Sequence, residues 1–158
     1  MRSRIDLIRL GLVATVVLVV DQVSKFAVRD SLYPGEIVEL PGPFSITLSF
    51  NDGVAFGLGG GSGVPVVIFS LVALALLAFF ISGAPSGWTT AIAGGLILGG
   101  AVGNLIDRLL EGEVTDFVSL PWWPTFNVAD VGITVGVVLL VISVLRGDSE
   151  KPGEGRDV

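Results

Sequence analysis

Neither cysteine nor histidine occurs anywhere in the chain. Their absence removes whole reaction classes: there can be no Ser-His-Asp triad, no Cys-His pair, no protein disulfide and no zinc site of the usual His/Cys kind. Charge is also scarce, at 15% of residues, and the nine basic side chains form no patch suited to nucleic acid. The formal charge of -6 comes partly from a polar tail, residues 147–158. Any catalysis has to run on Asp, Glu, Lys, Ser or Arg.

Apolar residues, by contrast, make up 51% of the 158 residues, and the mean hydropathy is +0.83. Four runs approach the roughly 20 residues needed to cross a hydrocarbon core of about 30 Å. They cover about 7–28, 64–81, 88–106 and 128–145. The expected fold is therefore an all-α membrane protein of four transmembrane helices in a single domain, with a small β-rich platform on the extracytoplasmic side. That platform belongs to the loop 30–63. Phe44, Ile46, Leu48 and Phe50 alternate there with Ser45, Thr47 and Ser49, the period of a strand with one apolar and one polar face.

Arg2, Arg4 and Arg9 stand at the start of the first span, and Arg146, Lys151 and Arg156 follow the fourth. The positive-inside rule then places both termini in the cytoplasm, with an even number of spans between them. Asp21, Arg108, Asp116, Asp130 and the long loop fall toward the outer face. Asp21, Lys25 and Arg29 occupy the place where a signal peptide would be cut, so the first run reads as a retained span.

Gly95, Gly99 and Gly103 repeat every four residues in the third span, and Gly132 and Gly136 do so in the fourth. Small residues at this spacing let helix backbones approach closely, and the expectation is that the third and fourth helices pack on each other through them. Asp21 and Lys25 lie one turn apart and can neutralise each other. Asn104, Asp107, Arg108 and Glu111 share a face of the third helix, where Arg108 can either bind the last carbonyls or reach a substrate.

Two aspartates carry the chemical suggestion. Asp116 and Asp130 stand just outside the last two apolar runs, and a chain folding back between two spans brings both carboxylates to one membrane face. There, one can take a proton from water while the other donates one. A cap on the fourth helix is the alternative for Asp130. A proton-coupled transporter, a Ser-Lys protease and a non-catalytic scaffold are the rival functions. The first needs an acid at mid-depth, and the second needs a serine facing Lys25, whereas Ser24 points about 100° away on a helix.

The wording around these residues narrows the choice. Asp21-Gln22-Val23-Ser24-Lys25, Asn51-Asp52-Gly53-Val54-Ala55-Phe56, Gly99 to Arg108, Val114-Thr115-Asp116-Phe117 and Phe126-Asn127-Val128-Ala129-Asp130 resemble, in order, the signature segments of the lipoprotein signal peptidase (signal peptidase II) family. The resemblance runs from the first span to the fourth. It implies an aspartic endopeptidase of the bacterial inner membrane that cuts diacylglyceryl-modified prolipoproteins before the lipidated cysteine. Asp116 and Asp130 would be its catalytic pair, and Asp21, Lys25, Asn51, Gly53, Asn104, Arg108 and Asn127 would support the site or bind substrate. No cofactor and no metal are implied. The expected partners are the lipid-modified substrate and membrane lipid, not nucleic acid, and the enzyme is expected to be a monomer.

Overall fold

The computed structural model describes residues 4–52 and 86–146, together with Ile68, Leu71 and Gly83. Apart from Ile68 and Leu71 the second expected span lies outside the described residues, as do Gly53 and the tail after Arg146. Among the described residues, three helices are long and apolar enough to cross a membrane: α1 (Arg4–Ser31), α2 (Trp88–Leu110) and α3 (Val128–Arg146). They correspond to the first, third and fourth expected spans, the first two extended by a few residues and the last by one. None contains proline, and their outward faces are apolar. Leu12, Val16, Val19, Val23 and Phe26 of α1 and Val131, Val135, Val138 and Val141 of α3 are exposed. Such a broad apolar surface suits lipid rather than water.

The helix α2 is central and packs on both α1 and α3. Its glycines decide how closely. A Cβ at Gly95 would lie 2.7 Å from the Leu10 carbonyl oxygen, one at Gly99 2.5 Å from that of Ala14, and one at Gly103 2.6 Å from Asp21 Oδ2. The 95/99/103 stripe therefore faces α1, correcting the expectation that it meets the fourth span. The contact with α3 uses Gly100, whose added Cβ would collide with the Ala129 carbonyl, and Gly136, where one would come within 2.6 Å of Ile97 and 2.8 Å of the Ala93 carbonyl. With the 95/99/103 stripe toward α1 and Gly100 meeting the face of α3 that carries Gly136, α2 holds both neighbours at backbone distance. A buried hydroxyl pair, Thr90 and Ser143 at 2.8 Å, joins α2 to α3 toward the N-terminal end of α2.

At the other end of the bundle lies a four-stranded antiparallel sheet in the order β1 (Ile37–Glu39), β2 (Ser45–Asn51), β3 (Val114–Leu120), β4 (Trp123–Phe126). The expected strand at 44–50 is β2, displaced by one residue. Its alternation does not give one uniform apolar face. Between Ile46↔Val118 and Ser49↔Asp116 the register shifts, β2 advancing three residues while β3 advances two. This bulge leaves Leu48 buried while Phe44 and Phe50 are exposed. The stretch 118–125 forms the β3–β4 hairpin. Its Pro124 sits on the edge strand, where a missing N–H breaks no ladder, and Trp122 and Trp123 are exposed.

Candidate active site

The two aspartates of interest arrive on different elements. Asp116 is the third residue of β3 and is 3% exposed; Asp130 is the third residue of α3 and half-buried. In the sheet Ser49 lies opposite Asp116, and Asn51 follows two residues later on the same face. Asn51 thus reaches diagonally across, its Nδ2 donating to Asp116 Oδ2 at 3.0 Å.

Asn127, immediately before α3, serves both carboxylates. Its Nδ2 donates to Asp116 Oδ1 at 2.7 Å. Its backbone N–H donates to Asp130 Oδ2 at 3.2 Å, while its Oδ1 accepts the Asp130 backbone N–H at 3.0 Å. That reciprocal pair is a capping box at the start of the helix. The cap expected of Asp130 is therefore present, and it fixes the carboxyl beside Asp116 rather than competing with that placement. The other oxygen of Asp130, Oδ1, accepts from Asn104 Nδ2 at 2.9 Å.

Burial pushes the Asp116 carboxyl above the usual carboxylate range, and the neighbouring Asp130 charge adds to this; the donors Asn51 and Asn127 and the Lys25 ammonium pull the other way. The carboxyl therefore retains a proton more readily than a free aspartate does.

Behind the pair lies a buried polar cluster. Lys25 bonds Asp21 Oδ2 at 2.8 Å, as their one-turn spacing predicts, and also Asp107 Oδ2 at 2.9 Å and Asn104 Oδ1 at 2.9 Å. Gln22 Nε2 ties Asp21, Asp107 and the Gly103 carbonyl together. Of the residues singled out from sequence, Asp21, Lys25, Asn104 and Asn127 are buried together around Asp116 and Asp130, and Asn51 joins them from β2. Arg108 donates from NH1 to the Asn104 carbonyl at 3.3 Å, one turn back on its own helix rather than to the last carbonyls, and its Nε is buried without a partner among the described residues. Asp107 and Gln22 were not assigned to the site by sequence reading. The three-residue spacing from Asn104 to Asp107 was the available signal. Among the described residues no group of three or more acids is placed to hold a metal ion.

Residues 13–146 match the family described as signal peptidase (SPase) II. The chain belongs to the signal peptidase II family. A lipoprotein signal peptidase of Pseudomonas fluorescens is 42% identical over 89% of this chain and 88% of its own length, and one of Moorella thermoacetica is 40% identical over 90% and 97%. Two solved bacterial membrane enzymes superpose with TM-scores of 0.78 and 0.76 at 35% and 34% identity. The first covers 85% of this chain and 91% of its own, the second 93% of each. In this signal peptidase II chain a cavity of about 220 Å³ runs along Asp130, lined by Trp123 and Phe126 of β4 and by Val131, Thr134 and Val135 on one face of α3. A largely apolar groove beside exposed valines of α3 thus includes one carboxylate, that of Asp130.

Proposed function

We propose that this membrane hydrolase removes the signal peptide from diacylglyceryl-modified prolipoproteins, cutting before the lipidated cysteine, with Asp116 and Asp130 as its catalytic pair. The observation that carries this reading is the shared tether: one asparagine, Asn127, binds both carboxylates where the sheet meets the helix bundle. Two close carboxylates do not both ionise readily, so they share a proton. Asp116, the more buried, holds that proton. Asp130, beside the apolar cavity, takes a proton from water as the water attacks the scissile carbonyl. The resulting tetrahedral intermediate collapses as the departing amine of the cysteine is protonated, and the pair returns to a single shared proton.

The membrane-side chemistry agrees with such a substrate. The cavity beside Asp130 is walled by apolar side chains and opens beside exposed valines of α3, which suits acyl chains or the apolar part of a signal peptide. Arg108, whose buried Nε has no partner among the described residues, and Asn51, at the rim, would contact the peptide backbone. Asp21, Lys25, Asn104 and Asn127 hold the pair in place, and Gly53 is assigned to the substrate-facing loop by resemblance alone. Both termini lie in the cytoplasm and the sheet outside, in the inner membrane of a bacterium. Both acids come from one chain, compatible with action as a monomer. The scaffold and transporter alternatives draw support from no feature of the site.

The test is incubation of the purified protein with a precursor peptide carrying a diacylglyceryl cysteine, and with the same peptide unmodified. Mass spectrometry should find cleavage of the lipidated peptide only, with the lipidated cysteine at the new N-terminus. Equal cleavage of both peptides, or of neither, contradicts the reading.

A further inference from the structure

Lys25 has no side-chain exposure and stands on α1, touching neither Asp116 nor Asp130 directly. An ion pair with Asp21 alone would neutralise it, yet all three of its N–H groups are used, on Asp21, Asp107 and Asn104. The amide contact is the informative one. An ammonium can only donate, so the Asn104 side chain turns its oxygen to Lys25 and its Nδ2 to Asp130. The same oxygen accepts Asn127 Nδ2 at 3.2 Å. Reversing the amide would set its NH₂ against the ammonium and against the Asn127 NH₂, and its oxygen against the Asp130 carboxylate. All three contacts would become repulsive.

The two acids of the cluster point the same way. Asp21 Oδ1 accepts the backbone N–H of Ala129, next to Asp130, at 2.8 Å. Asp107 Oδ2 accepts that of Thr115, next to Asp116, at 3.1 Å. The cage around one lysine therefore grips the chain beside both aspartates.

We propose that Lys25 is a positioning residue for the hydrolytic reaction: it fixes the Asn104 amide so that its donor face holds the Asp130 carboxylate toward the substrate. This deepens the assignment of Asp116 and Asp130 as the catalytic pair and rests on it. With Asn104 on Oδ1 and the Asn127 N–H on Oδ2, each oxygen of the Asp130 carboxylate accepts a bond that holds it beside the cavity. Outer partners that orient metal ligands alter affinity or activity about 10- to 100-fold when removed, and a loss of that order is expected for one that orients a reacting carboxylate.

Lys25→Met alone strands Asp21 and Asp107 as unpaired buried charges, which endangers folding. Lys25→Met combined with Asp107→Asn keeps the cluster at a net charge of -1 and removes the donor to Asn104. On lipidated precursor peptide this double variant should lose about 10- to 100-fold in kcat with KM within about threefold of wild type. Added to Asn104→Ala, it should cost nothing further, because Lys25 acts through Asn104. Losses that multiply with those of Asn104→Ala, or a raised KM at unchanged kcat, overturn the proposal and leave the cage a packing element. Should the double variant not fold, Asn104→Asp decides. It still accepts from Lys25 and Asn127 but offers Asp130 an oxygen in place of a donor, so the same kcat-selective loss is expected, and wild-type kcat overturns the proposal. Asp130→Asn run alongside separates the two levels. Turnover by that variant defeats the catalytic pair and the role of Lys25 with it, whereas an inactive Asp130→Asn beside a fully active cage variant defeats only the role of Lys25.

Discussion

Asn127 stands between two carboxylates, its Nδ2 2.7 Å from Asp116 Oδ1 and its backbone nitrogen 3.2 Å from Asp130 Oδ2. It is at once a helix cap and a bridge, and the two roles can be separated. Asn127→Ala should lose both, lowering stability by about 1–3 kcal/mol and abolishing most turnover. Asn127→Ser keeps a capping oxygen but cannot reach Asp116. Its melting temperature should therefore recover toward wild type while its kcat does not. Recovery of both by serine would mean that the bridge to Asp116 is dispensable.

The raised affinity of Asp116 for a proton has a signed consequence for stability. Below the ordinary carboxylate value of 3.8 the side chain is neutral whether the protein is folded or not. As pH rises from there through the higher folded value, the unfolded chain sheds the proton first, and the wild type loses stability. Asp116→Asn carries no such proton. The melting temperature of Asp116→Asn minus that of wild type should therefore grow more positive from about pH 4 to pH 7. A difference that shrinks over that range would show that the carboxylate is favoured by its site instead.

The glycine contacts predict opposite effects for one substitution at two places. Gly99→Ala puts a methyl 2.5 Å from the Ala14 carbonyl oxygen and 2.9 Å from Val17 Cβ, so α1 and α2 must part. A loss of about 1–3 kcal/mol is expected, with reduced turnover because the Lys25 cage spans that joint. Gly11→Ala, on α1 with nothing among the described residues within 4 Å of the new methyl, should be neutral or slightly stabilising by helix propensity. Thermal melts in detergent compare them directly.

Much of this was legible in the chain itself, because the membrane imposes strong local rules. The lengths of three described helices, the aspartates at their mouths and the Asp21–Lys25 pair all follow from hydropathy and helical spacing. The β3–β4 hairpin was not read, because β3 pairs with β2 some seventy residues earlier and its apolar run before Pro121 carries no period of its own. The partner of the 95/99/103 stripe was misassigned for a related reason. Spacing says which residues share a face, not which helix that face meets. Asp107 escaped because its significance lies in Lys25, on another helix.

Topology can be tested without removing any native thiol, since the chain has none. Glu39→Cys on the edge strand β1 should react with an impermeant maleimide in intact spheroplasts, and Ser86→Cys before α2 should react only after lysis. The reverse pattern would put the sheet and both aspartates in the cytoplasm.

The most direct measurement is the turnover of Asp116→Asn and Asp130→Asn on diacylglyceryl-modified precursor peptide, each checked for thermal stability in the same detergent. Asparagine keeps the shape of aspartate and can neither share nor transfer the proton. Both variants should fold and bind the peptide with no detectable cleavage. Substantial cleavage by either folded variant would contradict the catalytic assignment of the pair.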